Sequence, residues 1–313
     1  MRQLKNLNIE FKGLKMPKQP YTKPALSIDQ QIDQLLDRGM VIKNRSLTTH
    51  YLSHINYYRL SAYWLPFEED HKTHAFKADT HFEQVLDLYS FDRELRLLVL
   101  DAIERIEVAI RTTLAFQLSH RYGTHPHLIA ELFKHTWDYT KNISLLQKDV
   151  TQSKEIFILH LRANYSETLP PIWAVVEVMS LGQLSKWYAN LKSSSDRNLI
   201  AHNYDFDEVN LVSFLHHLTI VRNLCAHHSR LWNRDFIINF KIPKRRPHNL
   251  AGDFSQPTQK RIYNTLVMLI YLMDQISPDH HWRKRLIEKI DQHQIDTRCM
   301  GFPADWKTKA IWG

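Results

Sequence analysis

The sequence predicts an all-α protein, and three observations support that class. Only 7 of the 313 residues are glycine, which argues against a turn-rich β-sandwich and against a glycine-rich nucleotide-binding loop. Long segments instead repeat apolar residues at the 3.6-residue period of an α-helix. Hydrophobic residues make up 43% of the chain, enough for one large domain with a smaller region attached. We expect a helical bundle with a small N-terminal helical region and a short C-terminal extension.

The N-terminal region, residues 1–82, is expected to contain an extended arm followed by a small group of helices. Residues 1–25 carry lysine and proline and form the arm. Ser27 is then placed as a helix N-cap, with Gln30 three positions later as in a capping box. The apolar stripe and the stop signal of this helix are Ile32, Leu35, Leu36 and Gly39.

A tyrosine-rich segment, HYLSHINYYRLSAYWLPF, occupies residues 50–67. Its aromatic side chains are interleaved with His54, Asn56 and Arg59, as in surfaces that stack on nucleic-acid bases. They are also typical of a packed core whose tyrosine hydroxyls are hydrogen bonded. We favour the core interpretation because aromatic residues dominate protein cores.

Residues 83–277 are expected to form the bundle, and residues 278–313 the extension. The longest helix is predicted from Glu83 to His120, with an apolar stripe and two i,i+4 ion pairs. The stripe is Leu95, Leu98, Ile103, Ile106 and Ile110, and the pairs are Asp92 with Arg96 and Glu107 with Arg111. Further helices are predicted within residues 143–164, from Pro170, from near Asp207, and across residues 259–276, the last apolar nearly all round.

The chain has a formal charge of +8 and an isoelectric point near 9.3. This charge raises the rate of encounter with polyanions, and nucleic acid is favoured over membrane because no basic amphipathic anchor stands out. An inert basic surface is equally compatible with the charge alone.

Several features indicate a cytoplasmic protein. Cys225 and Cys299 are too few for a secreted disulfide framework. Residues 1–20 lack the apolar core of a signal peptide, and no apolar run approaches the ~20 residues of a membrane helix. We therefore expect no membrane partner.

The segment RNLCAHHSRLWNR, residues 222–234, carries the pattern R-N-x-x-x-H at the end of a predicted helix. A histidine exchanges protons near neutral pH, and an arginine offers a permanently charged, planar fork that suits phosphate oxygens. An asparagine can orient either group by hydrogen bonds. The short pattern is a weak signal by itself, because an arginine and a histidine on one helix are more often surface or packing residues.

The motif and four further segments resemble a known family. The pattern R-N-x-x-x-H at the end of a bundle helix is the signature of HEPN-type ribonuclease domains. Most of the chain is similar to the Abi (AbiD/AbiF-like) abortive-infection family of bacterial phage-defence proteins. The further segments, in chain order, are INYYRLSAYWLPF, LYSFDRELRLLVLDAIERIEVAIR, PPIWAVVEVMSLGQLSKWY and MGFPADW.

The resemblance implies a HEPN-like bundle that cleaves RNA without a metal. In that reaction the ribose 2′-hydroxyl attacks the adjacent phosphate and leaves a 2′,3′-cyclic phosphate and a 5′-hydroxyl. His227 would transfer the proton, Arg222 would stabilise the developing negative charge, and Asn223 would orient the groups. The resemblance also implies a toxin that a partner holds inactive, for which a small RNA antitoxin is a candidate.

Other residues are candidates for contact with RNA or with the catalytic groups. His228 is the alternative catalytic histidine, because related spacings vary. Glu177 is a candidate partner for Arg222, although a solvent-directed glutamate is equally compatible. Further RNA contacts are expected from Arg230 and Arg234 and, in the basic run KIPKRR, from Lys244, Arg245 and Arg246.

Residues 197–202, RNLIAH, repeat the letters of the motif. We interpret this second match as coincidence, because it follows the polar loop KSSSD and the family segments do not require it. The simpler expectation is the start of a helix with Asp196 as its N-cap.

Neither a metal nor another cofactor is expected. The chain has 19 histidines, but it contains no H-E-x-x-H and no C-x-x-C pattern. Cys225, beside the histidines, is typical of a small buried residue. The nucleophile elbow of a serine or cysteine hydrolase is also missing from the sequence.

The spacing of the motif predicts a homodimer. Arg222 falls on the apolar stripe of Leu215 and Leu218, where an arginine must be paired or face a cleft. Along a straight helix, five residues rotate a side chain by about 140°, so Arg222 and His227 diverge. No glycine or proline lies between Arg222 and Arg234 to unwind the helix. A composite site formed by two chains is the remaining solution.

The rival function is a non-catalytic RNA-binding module that uses the same arginines.

Overall fold

The computed structural model describes residues 20–248, 250–258 and 260–313. Within these ranges the chain forms twelve α-helices, short 3-10 turns and one small antiparallel hairpin, so the all-α prediction is confirmed. Residues 1–19 of the expected N-terminal arm lie outside the described residues. The chain divides into two compact units, one ending at Val85 and the other beginning at Leu86.

The unit that ends at Val85 opens with the predicted capping box. The Ser27 hydroxyl accepts a hydrogen bond from the Gln30 N–H at 3.2 Å, and Gln30 Oε1 accepts one from the Ser27 N–H at 2.8 Å. Gly39 adopts a φ of +91° just beyond the helix end. Leu36 is 42% exposed, so its place in the apolar stripe was wrongly predicted; its side chain projects to solvent beside the buried stripe. The elements are α1 (Ile28–Asp37), α2 (Arg45–His54), α3 (Tyr57–Trp64), β1 (Glu68–Asp70) and β2 (Ala75–Phe76).

The tyrosine-rich segment lies mainly in α2 and α3, and its largest rings are core. Tyr63 and Trp64 are almost completely buried, and Trp64 packs edge-on against Tyr57 with ring centroids 4.8 Å apart. Tyr58, in contrast, is 73% exposed. The core interpretation therefore holds for the rings of α3 that face inward.

The unit that begins at Leu86 is organised around one long helix, α4 (Phe82–Tyr122), whose first turn precedes the unit boundary. It matches the predicted helix within two residues at each end, and the five predicted stripe residues are buried. The other helices are α5 (Tyr139–Gln152), α6 (Ile156–Asn164), α7 (Ile172–Val178), α8 (Leu181–Ala189), α9 (Ser194–Ala201), α10 (Glu208–Ala226), α11 (Tyr263–Ile276) and α12 (Trp282–Gln292).

Two segments that the apolar period predicts as single helices are each split. The first stops at Gln152 and resumes at Ile156, because Ser153 takes an extended conformation. The second stops at Val178, and Ser180 starts α8 with a capping box that includes Gln183. Ser153 ends α5 in the extended conformation, whereas Met179 ends α7 and Ser180 caps α8. An apolar period alone does not reveal such breaks.

The centre of the larger unit is α11, which is buried nearly all round, as predicted. α10 begins where expected, because the Asp207 carboxylate caps it by accepting a bond from the Asn210 N–H at 2.8 Å. None of the helices in the described ranges is long and apolar enough to span a membrane.

A buried histidine joins α10 to α11 and to the chain that follows α10. His217 is 1% exposed. Its Nδ1–H donates to the Ile238 carbonyl at 2.7 Å, and Nε2 accepts from the Thr265 hydroxyl at 2.8 Å. Burial lowers the pKa of His217 to about 4, so the ring is neutral when folded.

We expect acid to weaken the fold through His217. The unfolded chain protonates this ring near pH ~6.5, whereas the folded chain resists protonation until about pH 4. The contribution to stability is therefore present above pH ~6.5 and is lost as the pH falls towards 4. From this group alone, the free energy of unfolding falls by about 2 kcal/mol between pH 7 and pH 5.

Urea denaturation of the wild type, His217→Gln and His202→Gln at both pH values tests this expectation. His217→Gln lowers stability at pH 7 but reduces its pH dependence. His202 is exposed, so its variant keeps the wild-type dependence. Equal pH dependence in the wild type and His217→Gln would contradict the assignment.

Candidate active site

The R-N-x-x-x-H motif lies where α10 ends, and not along a continuous helix. Ala226 is the last helical residue, His227 is the C-cap, and His228 adopts a φ of +57°. The His228 N–H donates to the Cys225 carbonyl at 3.0 Å, and the Ser229 N–H donates to the Leu224 carbonyl at 2.8 Å. These two bonds form a Schellman motif, in which the left-handed position usually belongs to glycine.

The expectation that the helix continues without unwinding is therefore wrong. A histidine, not a glycine or proline, takes the left-handed conformation. The rotation of about 140° assumes a helical backbone through His227. It therefore does not give the angle between the Arg222 and His227 side chains.

The motif side chains lie at the surface. Asn223, His227 and His228 are exposed, and Arg222 is half-buried. The Arg222 guanidinium donates from Nη1 to Asn223 Oδ1 at 3.3 Å. Leu215 and Leu218 on the same stripe are fully buried, so Arg222 lies at the edge of the core, at the end of the apolar stripe. The half-buried guanidinium can contact a phosphate, and the two exposed imidazoles at the same helix end can transfer protons to and from a bound ligand.

A buried carboxylate holds the chain that follows the motif. Asp92 of α4 is 0% exposed, and its Oδ1 accepts bonds from the N–H groups of Leu231 and Trp232 at 3.0 and 2.7 Å. Its Oδ2 accepts from the buried Arg96 guanidinium. The loop after His228 is thereby fixed to α4 by charge-assisted bonds.

A second arginine braces the end of the motif segment. Arg261 donates to the Asn233 side chain and pairs with Asp235 at 2.8 Å. Arg234 is half-buried, and its Nη1 donates to the Arg230 carbonyl at 3.4 Å. The two arginines expected to contact RNA thus lie on a segment whose backbone is held at both ends.

Glu177 pairs with an arginine of α4. Arg111 Nη1 lies 3.5 Å from Glu177 Oε2, and the same guanidinium donates to the Met179 carbonyl at 2.6 Å. Arg111 also makes the predicted i,i+4 pair with Glu107. Glu177 therefore links the end of α7 to α4, and it pairs with Arg111 instead of Arg222.

The basic run lies at the other end of α10. The Lys241 N–H donates to Ser213 Oγ at 2.9 Å, and Arg246 lies 3.9 Å from Asp205, just before α10 begins. Lys244 and Arg245 are exposed. The two ends of this 19-residue helix are about 28 Å apart, so the structure does not bring the run to the motif.

The second hexapeptide has a structural role in the fold. α9 ends at Ala201 with His202 as its C-cap, as α10 ends at Ala226 with His227, but His202 continues into a 3-10 turn that ends at Tyr204. Its arginine, however, is buried: Arg197 pairs with Glu208 at 2.7 Å. Ser193 is the N-cap of α9, and the expected cap, Asp196, instead accepts a bond from the Tyr122 hydroxyl at 2.8 Å.

Cys225 is buried, as expected, between the motif and α4. Burial raises the pKa of its thiol to about 12, with Arg96 opposing and Asp92 reinforcing that shift. Within the described ranges, no group of three or more histidine, cysteine, aspartate or glutamate side chains is placed to hold a metal ion.

Asp92, Arg96 and Arg261 were not expected to lie near the motif. The i,i+4 spacing of Asp92 and Arg96 predicts an ion pair within the helix and does not indicate that the pair is buried. One signal was available in the sequence: Asp92 is four residues after Leu88 and three before Leu95, on the apolar stripe of α4. A carboxylate at such a position needs buried donors.

We expect Asp92→Asn to destabilise the chain by about 3–5 kcal/mol, because it leaves the buried Arg96 charge without its carboxylate. Asp101→Asn is the matched control on the same helix. Asp101 pairs with Arg105 at 3.3 Å and with Arg285 at 3.5 Å, and all three side chains are accessible to solvent, so its loss costs about 1 kcal/mol or less. Guanidinium denaturation measures both values. A similar, small change in the two variants would show that the Asp92 pair is not a determinant of stability.

Comparison with protein-family models matches residues 50–233 to the family described as Abi-like protein. No curated protein and no solved structure matches the chain. The matched range covers more than half of the 313 residues and includes α4, α10 and the motif with the backbone groups that Asp92 holds. The chain belongs to the Abi-like protein family.

Proposed function

We propose that this member of the Abi-like family is a metal-independent endoribonuclease of the HEPN type that acts in abortive infection. The observation that supports the proposal most is the end of α10. There Arg222, Asn223, His227 and His228 present two imidazoles and a guanidinium to solvent on a backbone held by buried contacts.

The reaction we propose is an intramolecular transesterification at a phosphate of the RNA. The ribose 2′-oxygen bonds to phosphorus while the bond from phosphorus to the 5′-oxygen breaks. His227 accepts the 2′-hydroxyl proton, and an acid returns a proton to the leaving 5′-oxygen. Arg222 stabilises the charge on the phosphorane oxygens, and Asn223 orients the Arg222 fork to which it is bonded. His228 is the alternative proton carrier. These groups supply proton transfer and charge stabilisation themselves, so the reaction needs no divalent ion.

The biological role we propose is that of a toxin-like effector in phage defence. Membership of the Abi-like family supports abortive infection. A partner would hold the activity in check, and a small RNA antitoxin is the candidate. The rival function, an RNA-binding module without cleavage, uses the same exposed groups, and the chemistry of the RNA ends distinguishes the two.

We also propose that the active form is a homodimer. His227 and His228 are exposed, whereas proton transfer is favoured where walls exclude water. A second copy would cover this surface, so that each composite site combines Arg222 of one chain with the partner's His227. The proposal rests on this exposure and on the pairing common among HEPN ribonucleases.

For the cleavage reaction, we expect purified protein to produce 2′,3′-cyclic phosphate ends in the presence of EDTA. Arg222→Ala lowers the rate by about 10²–10³-fold and His227→Ala by about 10²–10⁴-fold. His202→Ala is the matched control, because it alters the same position of the second hexapeptide and is also exposed. Binding without cyclic ends would support the rival function, and loss of cleavage in EDTA restored by one specific metal would refute the mechanism.

For the dimer, we expect a mixture of Arg222→Ala and His227→Ala protomers to regain activity. Each mixed dimer contains one composite site with an intact Arg222 and an intact His227 from different chains. Random pairing restores about a quarter of the wild-type rate. Sedimentation at the assay concentration gives the oligomeric state. Cleavage by a strict monomer would refute the composite site.

A further inference from the structure

Two segments that the proposed catalytic mechanism does not use meet at a cavity. The loop after α4, residues 123–129, and the start of α7 are joined by a bond from the Ile172 N–H to the Thr124 carbonyl at 3.0 Å. With the end of α6 and the loop after it, they enclose about 440 Å³. The residues on which the inference rests are His125, Arg162, Tyr165, Glu167 and Trp173, all of which line the cavity.

The cavity presents two aromatic faces. Tyr165 is 61% exposed and Trp173 is 49% exposed, so both rings keep large uncovered surfaces where they line it. Leu161, Leu169 and Pro171 supply further apolar lining. Exposed aromatic rings beside a concave, mostly apolar wall are suited to stacking on a planar ligand.

The polar groups of the lining are of three kinds. Arg162 contributes a positive charge and Glu167 a negative one, both on exposed side chains. His125 also lines the cavity, and its Nε2 is buried and has no hydrogen-bond partner among the described residues. The ring of His127 lies beside it, with centroids 5.7 Å apart, and is 1% exposed. A buried nitrogen without a partner costs free energy that a ligand can recover.

We propose that this cavity binds one nucleotide unit, with the base against Trp173 and Tyr165 and the phosphate at Arg162. The volume falls within the usual range of small-ligand sites. Glu167 accepts hydrogen bonds from the exocyclic amino group of guanine, adenine or cytosine, so uracil, which lacks that group, binds most weakly. The net charge of +8 favours a phosphate-bearing ligand. The inference rests on the proposed RNA substrate, although a free nucleotide has the same chemistry.

A protein partner is the competing occupant of this surface. α6 exposes Ile156 and Leu159 near the cavity-lining residues in sequence, and such apolar side chains are found in protein contacts. The nucleotide is favoured because the cavity is concave and because opposite charges, Arg162 and Glu167, border its aromatic lining.

The test uses the full chain carrying His227→Ala, so that binding is measured apart from cleavage. Calorimetry with GMP, UMP and ribose 5-phosphate reports the free nucleotide, and fluorescence anisotropy with a short labelled single-stranded RNA reports the polymer. We expect GMP to bind more tightly than UMP and ribose 5-phosphate. Trp173→Ala and Tyr165→Ala each weaken GMP binding by about 10-fold or more, because a stacked ring is lost.

Phe116→Ala is the matched control, since Phe116 is an exposed aromatic residue of α4 at 55% exposure. It leaves GMP binding unchanged. If Trp173→Ala also weakens RNA binding, the base comes from the RNA strand; if it weakens only GMP binding, the source is a free nucleotide.

Three results would overturn the proposal: no binding of GMP, equal binding of GMP and ribose 5-phosphate, or no effect of both aromatic substitutions. The proposal would also be overturned if the chain bound a protein partner through Trp173 and bound no nucleotide. Failure of the proposed cleavage is a separate result, seen as an absence of cyclic phosphate ends with the wild type.

Discussion

The geometry of the motif depends on one buried carboxylate. Asp92 is taken out of water entirely, which is costly for a charge unless strong donors surround it. Arg96 supplies one set of donors, and the N–H groups of Leu231 and Trp232 supply the other. Because those N–H groups follow the motif closely in the chain, the buried pair on α4 also determines where the chain goes after His228. The cost of burying two charges is thus offset by contacts that order the proposed site.

The left-handed conformation of His228 is the local consequence of that arrangement. A side chain with a Cβ is strained by about 1–2 kcal/mol at such a position, and glycine is the usual residue there. The two Schellman bonds and the buried residues after it hold the conformation. Strained backbone of this kind concentrates at functional sites, where the surrounding structure over-determines it. In this chain it places two consecutive imidazoles at the surface on one helix end.

The sequence predicts the helix boundaries correctly where they depend on interactions between residues that are close in the chain. The capping box of Ser27 with Gln30, the start of α10 near Asp207 and the span of α4 follow from hydrogen bonds and periods within a few residues. The apolar period does not predict the splits after Gln152 and Val178, because the residues that end these helices, Ser153 and Met179, also fit within a helix. The burial of Asp92 was missed because its partners Leu231 and Trp232 lie about 140 positions away.

The two hexapeptides, RNLCAH and RNLIAH, separate what the sequence determines from what the tertiary structure decides. In both, the α-helix ends at the alanine and the histidine is the C-cap, so the same letters end the helix at the same position. The backbone then differs, because His202 continues into a 3-10 turn whereas His227 is followed by the left-handed His228. The environments of the two arginines differ. Arg197 is drawn into a buried pair with Glu208, whereas Arg222 remains half-exposed beside Asn223. The sequence by itself determined the two helix ends, because caps depend on hydrogen bonds between near neighbours. Only the packing of α9 and α10 decided which arginine stays accessible, because burial and ion pairing depend on groups brought close in space.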